Sequence, residues 1–266
     1  MDDENFTSGK HACAYSLHFL QWILTSHHSN STVFNNPRDS DIIIKFAGHE
    51  IHAHRAILRL WSPFFERSLN SQFSVAKSPV FNLDDDDDAD VVYAMLKHMY
   101  GMTFDQHPEN FDKSDQGSSV LEFLWKAYVV ADKYDCPSMR LAIITVTKEV
   151  LGTSISQDNN MVLAQCSEDL VRAISKICGP DALRLACPAM RNVVFDWLCR
   201  NFHLCIREIS FNIAIEDGSL LDVKLTATLL LKLGKEVGRK RSSSAVSKGS
   251  EMSTRTSMDQ LAAFFN

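Results

Sequence analysis

The sequence predicts an α+β fold, in which a small three-stranded sheet capped by helices is followed by an α-helical C-terminal region. A β-branched run from Ile42 to Phe46 is typical of a buried strand, and the alternating segment Glu50–His54 follows it after a short connection. Val80–Leu83 predicts a third, short strand. From Arg55 onward, apolar residues recur mainly at intervals of three and four, which is the period of amphipathic helices.

The segment from Ser40 to Phe65 contains the clearest local signals. Ala47-Gly48-His49 is a tight connection of the kind that closes a β-hairpin. Helical spacing then extends up to Ser62-Pro63, where one helix ends and the next begins, because proline suits the first turn of a helix. The apolar residues at this spacing are Ala56, Ile57, Leu60 and Trp61.

An amphipathic helix is predicted ahead of the sheet, at Ala14–Thr25, and residues 1–13 before it are expected to be disordered. The apolar stripe of this helix consists of Leu17, Leu20, Ile23 and Leu24. A stripe of this kind needs an apolar surface to cover it, so the helix is expected to pack against a partner.

Further helices are predicted after the third strand, at Val91–Tyr100, Leu121–Tyr134 and Pro137–Leu151. Asp88 stands where the N-cap of the first of these belongs. Short apolar-periodic segments then follow, and helical hairpins of this kind usually pack as a bundle. These segments are Asn160–Cys166, Glu168–Cys178, Asp181–Val194, Phe195–Phe202 and Leu220–Leu233.

The elements divide the chain into four parts with different compositions. They are a disordered N-terminus at 1–13, a first domain with its preceding helix at 14–151, a helical region at 152–233, and a flexible basic Ser-rich tail at 234–266. The net charge of the whole chain is −6, yet residues 235–258 carry six basic and two acidic side chains, so the remainder carries −10. An acidic body does not attract phosphates, so direct nucleic-acid binding by the folded part is not expected.

The composition favours an intracellular protein of the cytoplasm or nucleus. The seven cysteines are odd in number and form no CxxC pairs, which suits buried thiols in a reducing compartment. No run of 18 apolar residues predicts a membrane-spanning helix, and the acidic N-terminus lacks the pattern of a secretory signal.

Sequence signatures of catalysis are missing, and no enzyme, metal or cofactor is predicted. The chain has no G-x-S-x-G elbow, no P-loop and no G-x-G-x-x-G turn. The acidic run at 84–90 lacks the glycine and distal glutamate of a calcium loop, so helix capping is the better interpretation. Two groups have some zinc-ligand character. His52 and His54 share one face of a strand but have no further Cys or His nearby in sequence, and Cys199, His203 and Cys205 have a non-standard spacing. A thiol- or metal-dependent module in 152–233 stays open as an alternative.

The segment Ser40–Phe65 resembles the first part of a BTB/POZ domain, a protein-interaction fold. The matching residues are Ser40-Asp41, His52-Ala53-His54-Arg55 and Ser62-Pro63-Phe64-Phe65. A second block, Ala131–Pro137 with the sequence ADKYDCP, resembles a joint late in the same domain, and Val91 to Gly101 resembles its central helix. The resemblance covers residues 38–151, and the arrangement as a whole resembles short fungal BTB proteins with a helical C-terminal extension.

The resemblance implies a non-catalytic adaptor that binds other proteins and pairs with itself. It implies that the helix at 14–25 packs across the two-fold axis of a homodimer, and that Asp41 and Arg55 contribute to a charged pocket near that interface. A plain salt bridge from strand to helix is the alternative interpretation of Asp41 and Arg55.

Finer roles are implied by other positions. The family's cullin-contact motif, used by substrate adaptors of cullin-RING ubiquitin ligases, corresponds to Phe73-Ser74-Val75, although Val75 replaces the expected acid. A transcriptional co-regulator recruited through protein partners is the alternative function. The basic stretch Lys235–Arg241 resembles a nuclear-import patch and precedes the candidate phosphorylation sites Ser242, Ser243 and Ser244.

Overall fold

The structure, a computed structural model, describes residues 32–72, 77–102, 120–153 and 160–235, with no side chains described for 153 and 160–167. It divides into two compact units. The first comprises Met1–Val150 together with Leu185–Cys187, and the second comprises Leu151–Arg184 together with Pro188–Asn266. No helix of the described residues is long and apolar enough to cross a bilayer.

A three-stranded sheet forms the centre of the first unit. Its strands are β1 (Ile42–Phe46), β2 (His49–Ala53) and β3 (Val80–Asn82), in the order β2-β1-β3. β1 pairs antiparallel with β2 and parallel with β3, so that Ile44 lies opposite both Ile51 and Phe81. Ala47 and Gly48 both have positive φ angles, of 44° and 78°, as a tight two-residue hairpin turn requires. The predicted hairpin and third strand are confirmed.

Helices cover this sheet and confirm the predicted positions to within two residues at each end. They are α1 (Arg55–Trp61), α2 (Pro63–Leu69), α3 (Ala89–Met99), α4 (Val120–Lys133) and α5 (Pro137–Thr153). Two of these helices begin with a side-chain cap, of which the one at Asp88 was predicted and is confirmed. Ser62 separates α1 from α2, and its Oγ accepts a hydrogen bond from the Phe65 amide at 3.1 Å. The Asp88 carboxylate accepts one from the Asp90 amide at 3.1 Å at the start of α3.

The joint between α1 and α2 is fastened to the end of α4. The Ser62 hydroxyl donates to the Tyr134 carbonyl at 2.6 Å, and Ser62 is fully buried. The Tyr134 ring stacks on Phe65 at an interplanar angle of 10° and meets Phe64 edge to face. One buried serine therefore links elements that are 72 residues apart in the sequence.

Asp132, near the end of α4, fastens a short piece of distant chain to the first unit. Its two carboxylate oxygens accept hydrogen bonds from the amides of Ala186 at 2.9 Å and Cys187 at 3.2 Å. The Tyr128 hydroxyl donates to the Cys187 carbonyl at 3.3 Å. These bonds explain why residues 185–187 belong to the first unit.

The second unit is helical, but its elements differ from the predicted ones. They are α6 (Asn160–Cys178), α7 (Ala189–Cys205), α8 (Ile209–Glu216) and α9 (223–235). The two segments predicted at Asn160–Cys166 and Glu168–Cys178 form one helix, because no glycine or proline separates them.

The helix predicted at Asp181–Val194 is wrong over its first half. Gly179-Pro180 ends α6, and α7 begins only after Pro188, because prolines at both ends of the segment interrupt a regular helix there. A Cβ on Gly179 would lie 2.3 Å from the Ser175 carbonyl oxygen and 2.6 Å from that of Ser219, so only glycine fits.

The last two helices also depart from the sequence prediction. α8 was not predicted, since it has only eight residues and its three isoleucines, Ile209, Ile213 and Ile215, are all exposed, while Phe211 and Ala214 are buried. α9 begins three residues after Leu220, because the Asp222 carboxylate caps it by accepting from the Leu225 amide at 2.7 Å. The predicted helix 14–25, the disordered 1–13 and most of the tail at 234–266 lie outside the described residues.

Replacing Ser62 by alanine tests how much the α1–α2 joint contributes to stability. Ser62→Ala removes a helix cap and leaves the buried Tyr134 carbonyl without its hydroxyl donor, so we expect the free energy of unfolding to fall by about 2 kcal/mol. Urea denaturation followed by circular dichroism measures this. Ser68→Ala removes a hydroxyl from α2 without touching the cap, and should change stability by less than about 0.5 kcal/mol. Equal stability of both variants would show that the joint is unimportant.

Candidate protein-interaction site

Asp41 and Arg55, which the sequence places at the two ends of the strand pair, lie together in the structure. The Asp41 carboxylate accepts a hydrogen bond from the Arg55 amide at 2.8 Å. It thereby satisfies the first backbone donor of α1, whose N-cap residue His54 makes no side-chain cap of its own. The two residues therefore tie the start of β1 to the start of α1.

The Arg55 side chain extends this connection to the third strand. Its Nε donates to the Asp41 carbonyl at 3.4 Å, and Nη2 donates to the carbonyl of Ser78, just before β3. Asp41 is exposed, whereas Arg55 is half-buried. The guanidinium thus links β1, α1 and the residues leading into β3, and an exposed carboxylate lies beside it. The charged pocket implied for these two residues, and its use by a partner, both stay predictions.

A polar network of histidine and tyrosine continues along the same edge of the sheet. The His54 amide donates to the Tyr100 hydroxyl at 2.9 Å, and the His54 Nδ1 lies 2.8 Å from that hydroxyl. Burial, together with the nearby Asp41 carboxylate, raises the pKa of Tyr100 to about 12, so the hydroxyl stays protonated at neutral pH. His52 differs from His54 in its contacts: its Nδ1 lies 3.4 Å from the Ser40 hydroxyl. The two histidines each have a hydrogen-bond partner within the domain.

The acidic run before α3 is held by lysines of α4. Lys133 Nζ lies 2.9 Å from Asp84 and 2.8 Å from Asp87, and Lys126 Nζ lies 3.0 Å from Asp88. Burial opposes the charged form of Lys133, but its hydrogen bonds to Asp87 and Asp84 outweigh this effect and raise the pKa of Lys133. The same contact with Lys133 lowers the pKa of Asp84. These carboxylates cap and anchor the start of α3.

The Tyr134 hydroxyl belongs to the same anchor. It donates to Asp87 at 2.5 Å and accepts from the Asp84 amide at 3.1 Å. Burial and the hydrogen bond to Asp87 raise the pKa of Tyr134 to about 12. The tyrosine therefore joins the acidic run to the α1–α2 joint at which its own carbonyl is bound.

Burial favours the protonated form of the three buried cysteine thiols among the described residues. Burial raises the pKa of Cys136, Cys178 and Cys205, to about 12 for the last two. Among the residues that the structure describes, no three His, Cys, Asp or Glu side chains are grouped as ligands of a metal ion.

An exposed apolar surface on α1 was not identified from the sequence. Leu60 is 77% exposed, whereas Leu58 is fully buried and Ile57 and Trp61 are half-buried. Leu60 lies two residues after Leu58, which is more than half a turn around the helix. The two side chains therefore lie on opposite faces, and this spacing could have indicated that Leu60 is exposed if Leu58 is buried. Arg59, the residue before Leu60, fixes the turn between α1 and α2 by donating two hydrogen bonds to the Glu66 carboxylate, at 2.8 and 3.2 Å. Leu60 is thus presented on a firmly held helix.

The other predicted site residues lie outside the described part of the chain and stay predictions. They are the apolar stripe Leu17, Leu20, Ile23 and Leu24, the motif Phe73, Ser74 and Val75, and the candidate phosphorylation sites Ser242, Ser243 and Ser244.

Comparison with known proteins agrees with this architecture. Residues 31–124 match the family model of the BTB/POZ domain. This range contains the sheet, α1, α2 and α3, and the Asp41–Arg55 pair. The second resembling block, Ala131–Pro137, lies beyond the match. None of the curated proteins matches the chain. The α+β fold and this match together show that the chain contains a BTB/POZ domain, at residues 31–124.

Proposed function

We propose that this protein is a non-catalytic adaptor that binds other proteins and forms a homodimer through its BTB/POZ domain. BTB/POZ domains are protein-interaction modules that are typically non-catalytic and often self-associate. The observation that carries the dimer is the exposure of Leu60 on α1, a helix fixed at both ends by Asp41 and Ser62.

A two-fold dimer uses the same patch on both subunits, so a single exposed apolar surface on a rigid helix suits it. Burying one leucine side chain contributes about 1.5–3 kcal/mol to the free energy of association, which stabilises a dimer only as part of a larger interface. The predicted helix at 14–25 supplies the remaining apolar area in this proposal. In this proposal Asp41 and Arg55, at the N-terminal end of α1, give a partner a polar contact.

Light scattering coupled to size-exclusion chromatography tests the dimer. We expect the wild type to have twice the chain mass of 30.0 kDa, and Leu60→Asp to have the mass of one chain, because a carboxylate would be buried without a partner. The double variant Ile23→Asp, Leu24→Asp should also be monomeric. Leu183→Asp, at another exposed leucine (57% exposed), serves as the control and should stay dimeric. A monomeric wild type at concentrations of tens of micromolar would contradict the proposal.

A more specific form of the proposal makes the protein a substrate adaptor of a cullin-RING ubiquitin ligase. It rests on Phe73-Ser74-Val75, where the hydrophobic residue of the family's motif is present and the acid is not. If the motif is used, Val75→Glu should strengthen binding to a purified cullin N-terminal region by roughly tenfold, about 1.4 kcal/mol, by restoring the acid. Isothermal titration calorimetry measures this, with Phe73→Ala as the variant expected to weaken binding. Unchanged affinity of both variants would reject a role for this motif.

The alternative is a transcriptional co-regulator recruited through protein partners. Its support is the basic stretch Lys235–Arg241, which resembles a nuclear-import patch and whose following serines could carry phosphates. A fluorescent fusion lacking 235–258 should lose nuclear accumulation relative to the full chain. Equal nuclear signal from both fusions would count against this alternative, and a cytoplasmic signal from both would do so as well.

A further inference from the structure

An open groove lies between α6 and α8 in the second unit and encloses a cavity of about 740 Å³. One face of α6 forms one wall of the groove, and one face of α8 forms the opposite wall. The lining residues of the two helices are Glu168, Val171, Arg172 and Ser175 on α6, and Ile209, Ser210, Ile213 and Ala214 on α8. The groove is therefore continuous over about two turns of each helix.

The α8 wall of the groove is apolar and open to solvent. Ile209 is 77% exposed and Ile213 is 58% exposed, and the two lie one turn apart on the same helical face. Ile206, just before α8, is 41% exposed. Isoleucine is among the residues most often found inside proteins, so a row of exposed isoleucines beside a groove indicates a surface that is covered by a partner.

The spacing of these side chains favours a helix as the occupant. Anchors one turn apart, with a groove about two turns long, complement the i, i+3, i+4 and i+7 side chains of an amphipathic helix. Val171 on the opposite wall is half-buried and supplies a second apolar contact for the same ligand face.

The charges at the rim favour a cationic ligand. Glu168, Glu208 and Asp217 line the groove, whereas its basic side chains are Arg172 and Arg207. Arg172 lies 3.2 Å from Asp169, so its charge is already balanced. Three acidic groups therefore face one arginine whose charge is not balanced by a described neighbour.

The end of the groove at Asp217 is the most negative part. The Asp217 carboxylate accepts hydrogen bonds from the Ser219 side chain and from the Ser219 backbone amide, the latter at 2.8 Å. These bonds lower the pKa of Asp217, so the carboxyl group is ionised at neutral pH. The C-terminal ends of α6, at Cys178, and of α8, at Glu216, lie close to each other. Their proximity is shown by the Ser175 and Ser219 carbonyl oxygens, which both lie close to Gly179. The carbonyl ends of two helices add negative partial charge.

We propose that the α6–α8 groove is a docking site for a cationic amphipathic helix of a partner protein. Its apolar side chains pack on Ile209, Ile213 and Val171, and its lysines or arginines lie beside Asp217 and Glu168. This site is separate from the proposed dimer surface on α1 and does not depend on it.

A synthetic peptide pair tests the proposal on the full chain. The probe is a fluorescein-labelled helix of about 14 residues with leucines at i, i+3, i+4 and i+7 and lysines on its flanks, and the matched peptide carries glutamates in place of the lysines. Fluorescence anisotropy should give micromolar affinity for the lysine peptide and at least about tenfold weaker binding for the glutamate peptide. Equal binding of the two peptides, or none from either at about 100 µM, would overturn the proposal.

Variants of the chain locate the binding surface. Ile209→Ser with Ile213→Ser should weaken binding of the lysine peptide at least about tenfold. Asp217→Asn, which keeps the oxygen that accepts from Ser219, should weaken it about threefold or more and reduce the dependence on salt. The control pair Leu230→Ser, Leu231→Ser alters similarly exposed residues of α9, at 64% and 67%, and should bind as the wild type does.

The same variants distinguish other occupants of the groove. The thermal unfolding temperature of the isoleucine variant should equal that of the wild type, because both side chains are exposed. This measurement separates a loss of folding from a loss of peptide binding. Equal losses in the α9 control would assign the peptide to unspecific apolar contact and overturn the proposal. Conversion of a wild-type dimer to a monomer by the isoleucine changes, without peptide binding, would assign the groove to a second copy of the chain and also overturn it.

Discussion

The buried hydroxyl of Ser62 is the interaction on which the arrangement of the first unit depends. It caps α2 and at the same time donates to the Tyr134 carbonyl, so the α1–α2 joint and the end of α4 are fixed by one side chain. Tyr134 transmits this constraint further, since its ring packs on Phe65 and its hydroxyl binds Asp87. A buried hydroxyl with both bonds made is favourable, whereas a buried carbonyl that loses its donor is costly.

The exposure of Leu60 in the BTB/POZ domain follows from this constraint. With its C-terminal end held at Ser62 and its N-terminal end held by Asp41, α1 has little freedom to turn Leu60 toward the core. Arg55 meanwhile ties the same helix to the residues before β3. Leu60 is exposed near the C-terminal end of α1, and the Asp41 carboxylate and the Arg55 guanidinium lie at its N-terminal end. Apolar area combined with polar contacts is common at protein interfaces.

The second unit offers a surface of a different kind. The α6–α8 groove is an opening between helices, with exposed isoleucines on one wall and acidic groups on its rim. Gly179 allows the ends of α6 and α8 to approach closely, since any side chain there would collide with two carbonyls. An exposed leucine on one unit and a groove on the other would let an adaptor engage two partners by different physical means.

Sequence alone determined those features that depend on near neighbours. The hairpin follows from strand alternation around a tight turn, and the caps at Ser62 and Asp88 follow from their positions before helical segments. Only the tertiary structure decided the rest. It placed the Asp132 carboxylate on the amides of residues 186–187 and exposed Leu60 and the isoleucines of α8. Local spacing specifies which residues share a helical face, but whether that face is covered depends on chain segments far away in sequence.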